Sequence, residues 1–251
     1  MPKKNFSEEF KSFPGGRELI LLDETESTND EVKRRAAQGG EFAVIARRQT
    51  AGRGRQGRSF SSEAGGLYIS VPHYPPCGPA ETMHYTALAG LAVLNTVERV
   101  FSVRPALKWP NDVILHGKKI CGILLEAVHR GETFFLVSGI GLNLGNKLPE
   151  DIPMASSLLA LTGQEVDPLD FATLLIAELD EIYSRAHSGK RALLERYRKD
   201  CATLGKEVTV RCGSEIVSGL AVGITEDAAL IVRRDGEDIV LLSGEATTSG
   251  I

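Results

Sequence analysis

The sequence predicts an α+β protein: a mixed, mainly antiparallel sheet flanked by helices, followed by a small C-terminal β-barrel. Two observations carry this expectation. Apolar strands and helices alternate through the first part of the chain, and several strands are linked by hairpin-type turns. From Gly205 onward only short β-branched runs remain, broken by turn signals.

Leu19–Leu22 is a short apolar run and reads as the first strand. Ser27, Thr28 and Asn29 are residue types that begin helices, and a polar helical stretch follows, ending at Gly39-Gly40. Phe42–Ala46 reads as a second strand and Leu67–Val71 as a third. A proline-rich loop spans Pro72–Pro79. Glu81–Phe101 carries apolar residues at helical spacing, Leu88, Leu91, Ala92 and Val97 among them, and reads as a long core helix.

Residues 106–144 look like a run of strands. Val113–Leu115 and Ile120–Leu125 flank His116-Gly117-Lys118-Lys119, a hairpin signal, and Phe134–Ile140 follows. Pro168–Arg185 and Lys190–Thr203 read as helices. The terminal runs are Glu207–Arg211, Glu215–Ile224, Ala229–Arg233 and Ile239–Leu242. The expected organisation is an N-terminal extension over 1–18, a catalytic domain over 19–203 and a small domain over 204–251.

Composition excludes several classes. The chain has 251 residues and a formal net charge of −4, so a general nucleic-acid-binding surface is not expected. No stretch is long and apolar enough to span a membrane, and Met1–Phe13 lacks the apolar core of a signal peptide. Cys77, Cys121, Cys201 and Cys212 form no CxxC pair and read as reduced thiols of a cytoplasmic protein. The histidines show no metal-ligand spacing.

Four clusters carry chemistry. Residues 52–58 read Gly-Arg-Gly-Arg-Gln-Gly-Arg. Glycines let a backbone close tightly, and arginines grip carboxylate or phosphate, so the segment suits an anion. Alone it could equally be a solvated basic loop. Lys108-Trp109-Pro110-Asn111-Asp112-Val113 sets a cation, an amide and a carboxylate around a rigid proline. Asp112 could hold Mg²⁺ and Asn111 could orient a phosphate, or the segment could be a plain strand–turn junction. Lys118-Lys119-Ile120-Cys121-Gly122-Ile123-Leu124-Leu125-Glu126 puts a lysine at the start of an apolar strand, with a glycine that lets a ligand lie against the backbone. Gly139-Ile140-Gly141-Leu142-Asn143-Leu144 ends a strand with two glycines, another place for close ligand approach or a simple turn. Four such clusters in one chain argue against coincidence.

These segments, in this order and spacing, resemble the signature segments of biotin protein ligases. The resemblance runs from about Ile20 to the C-terminus and includes Leu-Gly-Lys-Glu-Val at 204–208, where the family carries an SH3-like β-barrel. It implies a catalytic domain of the class II aminoacyl-tRNA synthetase/biotin ligase type. It also implies a two-step reaction: biotin and ATP give biotinyl-5′-AMP and pyrophosphate, and a lysine of a biotin carboxyl carrier domain, such as that of acetyl-CoA carboxylase, then takes the biotinyl group.

Residue by residue, the resemblance implies that Ser27, Thr28 and Asn29 read the ureido ring, with Gln49 at the biotin site. Arg53, Gly54 and Arg55 fall in the loop that closes over the adenylate, with Arg58 towards the phosphates. Lys119 touches the biotin carboxylate and the α-phosphate and, with Arg55, carries catalysis. Gly122 lets the biotin tail pass. Lys108, Asn111 and Asp112 serve the nucleotide, with Asp112 a Mg²⁺ ligand, and Asn143 lies near the nucleotide. Some members stack a tryptophan on adenine shortly after the loop, where Phe60 stands here. Relatives that act as repressors carry an N-terminal winged helix-turn-helix. Only about twenty residues precede the first strand here, so a ligase without DNA binding is expected, and a homodimer is one assembly the resemblance leaves open.

Two other readings compete. Lipoate or octanoyl ligases and transferases have a similar catalytic domain, but lipoate has no ureido ring, and the 52–58 and 108–112 segments favour biotin. A nucleic-acid-binding module would want several arginine/glycine copies with interleaved aromatics, and this chain has one copy.

Overall fold

The structure is a computed structural model that describes residues 9–12, 16–36, 40–76, 78, 82–131 and 133–248. In chain order the elements are β1 (Glu9–Ser12), β2 (Glu18–Thr25), α1 (Thr28–Arg35), β3 (Phe42–Gln49), β4 (Leu67–His73), α2 (Tyr85–Phe101), β5 (Ala106–Lys108), β6 (Asp112–Leu115), β7 (Lys118–Arg130), β8 (Thr133–Leu142), α3 (Leu158–Thr162), α4 (Pro168–Ser184), α5 (Lys190–Asp200), β9 (Glu207–Cys212), β10 (Glu215–Ile224), β11 (Leu230–Arg234), β12 (Glu237–Leu241) and β13 (Glu245–Thr248). The chain divides into two compact units, residues 1–79 with 120–176, and 80–119 with 177–251.

In the first unit the strands run β1-β2-β3-β4-β8-β7. Among the strands of the described residues, β2 and β3 pair in parallel. The pairs β1/β2, β3/β4, β4/β8 and β7/β8 are antiparallel, which is the mixed, mainly antiparallel sheet expected. Helix α1 covers one face, because its apolar side sets Val32 and Ala36 among Ile20, Phe42, Val44, Phe135 and Val137, all buried. This packing fixes the helix start over β3, β4 and β8, where the site is built. Residues 37–39, within the expected end of this helix, lie outside the described residues, as do parts of the Pro72–Pro79 loop and the start expected for the long helix at Glu81.

The second unit holds the β5/β6 hairpin, whose register sets Lys108 opposite Asp112, and the five-stranded antiparallel sheet β12-β11-β10-β9-β13. That sheet is the small C-terminal β-domain expected. Helix α5 ends at Asp200, three residues short of the expected Thr203, because Cys201 turns extended (φ −84°, ψ 105°) and bridges to Leu107. Trp109 is 2 % exposed; its ring N–H donates to Ala228 O at 2.9 Å and its backbone N–H to Thr203 Oγ1 at 3.0 Å. The tryptophan of the 108–113 cluster is thus a core residue tying that turn to the C-terminal strands, and the Trp109–Pro110 peptide is cis.

His84 precedes α2, is 4 % exposed and packs on Tyr85 with ring centroids 4.7 Å apart. Burial pushes its pKa from 6.5 down to about 4. His73 on β4 is likewise pushed down to about 4, first by burial and then by the charge of Arg17. Below pH 6.5 the unfolded chain binds protons that the folded chain refuses, so stability is full above that pH and falls as pH drops towards 4. Each histidine is expected to lower the unfolding free energy by about 2 kcal/mol between about pH 7.5 and about pH 5. Urea unfolding at the two pH values checks this, and His84→Gln should remove one histidine's share.

Among the described residues no helix is long and apolar enough to cross a membrane. Cys121, Cys201 and Cys212 form no disulfide, and Cys77 lies outside the described residues.

Candidate active site

The first set of site residues lies at the start of α1. Ser27 is the helix N-cap in extended conformation, but its side chain makes no capping bond. The cap comes from β3: Gln49 Oε1 accepts from the Thr28 backbone N–H at 2.9 Å and lies 3.1 Å from Thr28 Oγ1. This works because β3 continues three residues past the expected Ala46, to Gln49. The other end of Gln49 donates to Ser62 Oγ at 2.9 Å.

Ser70, on β4, was not singled out by the sequence. Its hydroxyl lies 2.7 Å from Thr28 Oγ1 and 2.6 Å from Asn29 Oδ1, fully buried. Thr28 and Ser70 have two hydroxyl protons for three oxygen–oxygen contacts, so the cluster is rich in acceptors. Asn29 Nδ2 donates to Glu126 Oε2 at 2.6 Å and Leu124 O at 3.3 Å. Ser27, Thr28 and Asn29 are each under 5 % exposed. Three buried polar side chains in a row are costly unless satisfied, and here Thr28 and Asn29 are held by a network spanning three strands.

The 52–58 segment forms a compact hairpin-like loop. Arg53 bridges to Ser59, Gly54 N–H donates to Arg58 O at 2.7 Å, and Phe60 N–H donates to Gly52 O at 2.8 Å. Arg55–Gly57 makes a 3-10 turn at the tip, with Gln56 at φ 55°. Gly52 is required for close approach: a Cβ there would sit 2.5 Å from Ser62 Oγ and 2.6 Å from Phe60 O. Arg53 forks onto Asp30, with both contacts at 2.6 Å. Those hydrogen bonds hold the Asp30 carboxyl below the usual carboxylate range. Arg55 is half-buried and Arg58 exposed.

The strand ends within this segment, at Leu142, two residues past the expected Ile140, and side chains of the protein lie over both glycines. A Cβ at Gly139 would lie 2.1 Å from Asn29 Oδ1, and one at Gly141 would lie 2.5 Å from the Phe60 ring. Phe60 also meets Tyr68 edge-on, with ring centroids 6.4 Å apart. Asn143, 2 % exposed, donates its backbone N–H to Ile120 O at 2.8 Å, and its side-chain oxygen accepts from Asn146 Nδ2 at 3.2 Å. Gly122 is buried on β7, opposite Gly141 on β8.

The second set lies in the other unit. Lys119 Nζ is 2.7 Å from Asp112 Oδ1. That contact is an ion pair outside hydrogen-bond alignment, and the oxygen is shielded from solvent without a hydrogen-bond partner. Lys108 faces Asp112 across the hairpin, with Asn111 in the turn between them, both half-buried. Among the described residues no three His, Cys, Asp or Glu side chains gather as a metal site.

Residues 20–143 match the family model described as Biotin/lipoate A/B protein ligase family, and residues 203–246 match the Biotin protein ligase C terminal domain. The chain is 35 % identical to the biotin–[acetyl-CoA-carboxylase] ligase of Mycobacterium tuberculosis, over 92 % of this chain and 89 % of that protein. It is 32 % identical to the ligase of the same name from Paracoccus denitrificans, over 92 % of this chain and all of that one. The structure superposes on the biotin protein ligase of Aquifex aeolicus in complex with biotin and ATP with a TM-score of 0.80 and 30 % identity, covering 92 % of this chain and 98 % of that one. With both family models matched in order, and a buried polar helix start and glycine/arginine loop where the signature segments fall, the chain belongs to the biotin protein ligase family.

Proposed function

We propose that this chain activates biotin with ATP and transfers it to a lysine of a biotin carboxyl carrier protein such as that of acetyl-CoA carboxylase. The observation that carries the choice of biotin is the acceptor-rich cluster of Thr28, Asn29, Gln49 and Ser70. A urea presents two N–H donors and one carbonyl acceptor, and short polar side chains of both kinds, Ser27 among them, meet that demand. The dithiolane of lipoate offers nothing to such a cluster, and leaving buried polar groups unpaired is how a site rejects the wrong ligand.

In the first step a biotin carboxylate oxygen attacks the α-phosphorus of ATP. The new P–O bond forms, the bond to the β-phosphate bridging oxygen breaks, and pyrophosphate leaves. Two anions must meet, so fixed positive charge does most of the work. Lys119 is assigned to the carboxylate and the α-phosphate, Arg55 and Arg58 to the phosphates, and Lys108 and Asn111 to orienting the nucleotide. Asn143 is assigned to the adenosine end, and Phe60 borders it. Gly122 leaves room for the biotin tail, and Arg53 and Gly54 belong to the closing loop. In the second step the carrier lysine, as a free amine, attacks the acyl carbon. AMP leaves and the nitrogen loses a proton. No side chain of the ligase is acylated.

Magnesium fits the residues. Mg²⁺ usually takes one or two carboxylates plus substrate phosphates, and Asp112 is one such carboxylate, its Oδ1 shared with Lys119 Nζ at 2.7 Å. Bound there with the nucleotide, the ion supplies neutralising charge to the phosphates. A catalytic domain over 19–203 with a C-terminal domain over 204–251, a cytoplasmic setting and a homodimer belong to the same proposal.

The experiment is biotin-dependent exchange of labelled pyrophosphate into ATP, with lipoate and octanoate as rivals. Exchange is expected with biotin and at least about ten-thousandfold less with lipoate, the scale on which unpaired buried polar groups discriminate. Equal exchange with lipoate, or none with biotin, overturns the reading.

A further inference from the structure

We infer that Asp30 is a positioning residue: it anchors Arg53, and through it the 52–58 loop, to the first turn of α1, and so sets how long the acyl-adenylate stays enclosed. The retention role rests on the ligase reading, whereas the anchor rests on geometry alone.

Four charges alternate in sign around a ring. Arg53 forks onto both oxygens of Asp30 at 2.6 Å each. Lys33 Nζ lies 3.4 Å from Asp30 Oδ1 and 2.6 Å from Glu126 Oε1. Glu126 Oε2 closes the ring at 3.9 Å from Arg53 Nη2. A lone surface ion pair holds weakly, but a bidentate arginine–carboxylate fork inside a network is the geometry that does hold. Glycine-rich backbone has no side chains of its own to fix it, so this fork is the device that ties the loop's first arginine to a helix already buried against the sheet.

The ring also revises the expected role of Arg53. Its charge is balanced by Asp30 within the protein, so Arg53 serves the loop's anchor before it serves the ligand's anionic groups. It further joins the loop to the ligand cluster, because the carboxylate that binds Lys33 also accepts from Asn29 at 2.6 Å. Asn29 and Asp30 are adjacent, so the loop anchor and the helix-start network share one backbone turn. A loop that leaves its anchor frees Arg53 and loosens the lid over a reactive mixed anhydride.

The test uses the full chain and a protease that cuts after arginine, read by mass at Arg53, Arg55 and Arg58. Asp30→Asn is expected to speed cleavage there about three- to tenfold, and to speed release of preformed biotinyl-adenylate by a similar factor, in the range of a lost ion-pair network. Asp30→Glu should restore most of both. Arg53→Lys leaves the helix start untouched and should resemble Asp30→Asn, which separates the anchor from any loss of helix stability. The difference between Asp30→Asn and the parent should shrink in high salt, where the parent's anchor is screened. Loop cleavage at the parent rate in both variants overturns the anchor. Faster cleavage with unchanged adenylate release overturns the retention role. A parent protein that forms no adenylate overturns the ligase reading and the retention role with it, while the cleavage comparison still decides the anchor.

Discussion

Lys119→Ala is expected to slow biotinyl-adenylate formation about a hundred- to a thousandfold, the usual effect of removing one fixed group aimed at charge that develops in the transition state. The lysine is the second residue of β7, and Asp112 at 2.7 Å holds its ammonium in place. Charge builds on the oxygens of the α-phosphate as the carboxylate adds, and a neutral methyl offers nothing there. The pair is partly exposed, so its loss should cost under about 1 kcal/mol of stability. The two effects therefore separate: single-turnover adenylate formation collapses while the urea midpoint barely moves. Adenylate formation near the parent rate would remove Lys119 from the reaction.

Gly139→Ala is the second large effect, and it acts through Asn29. Register sets Gly139 between Ser70 on β4 and Leu124 on β7. Asn29 lies over that gap and bonds to groups on both flanking residues. An added methyl would come within 2.1 Å of Asn29 Oδ1. Asn29 cannot step aside cheaply, because Ser70 and Glu126 hold it at both ends. Overpacking of this kind costs about 1–3 kcal/mol of stability. Displacing one hydrogen-bonding group from a urea site should also weaken biotin binding at least about tenfold, the equivalent of about 1.4 kcal/mol. Calorimetric titration with biotin, beside a thermal melt, checks both. Parent-like affinity in a folded Gly139→Ala protein would show that Asn29 does not read biotin.

Much of this site was legible because its residues sit in runs: Ser27-Thr28-Asn29, the 52–58 loop and Lys108–Asp112 each put several polar types within a few positions. The partners that hold them were not. Ser70 is a lone polar residue in an apolar run, Glu126 closes the 118–126 segment with no stated role, and only the β4/β8/β7 register brings them to Asn29. Asp30 is a first-turn acid of α1, where acids belong in any helix, so nothing in the sequence marks it. The glycines of 139–141 were visible, but the side chains that fill their space come from segments far away in sequence.

The fold shows the same division. Strands with apolar runs were read within a few residues, whereas β13 was missed because Glu245–Thr248 is short, with Ala246 and Thr248 as its inward residues. Helix α3 is five residues long, too short for periodicity to register. Helix α5 stopped early for a tertiary reason, the bridge of Cys201 to Leu107.

The most direct measurement is the mass of a biotin carboxyl carrier domain after incubation with this protein, biotin, ATP and Mg²⁺. One biotinyl group added to one lysine, dependent on ATP and absent with lipoate in place of biotin, is the predicted result. A carrier of unchanged mass, or one that gains lipoyl as readily as biotinyl, would contradict it.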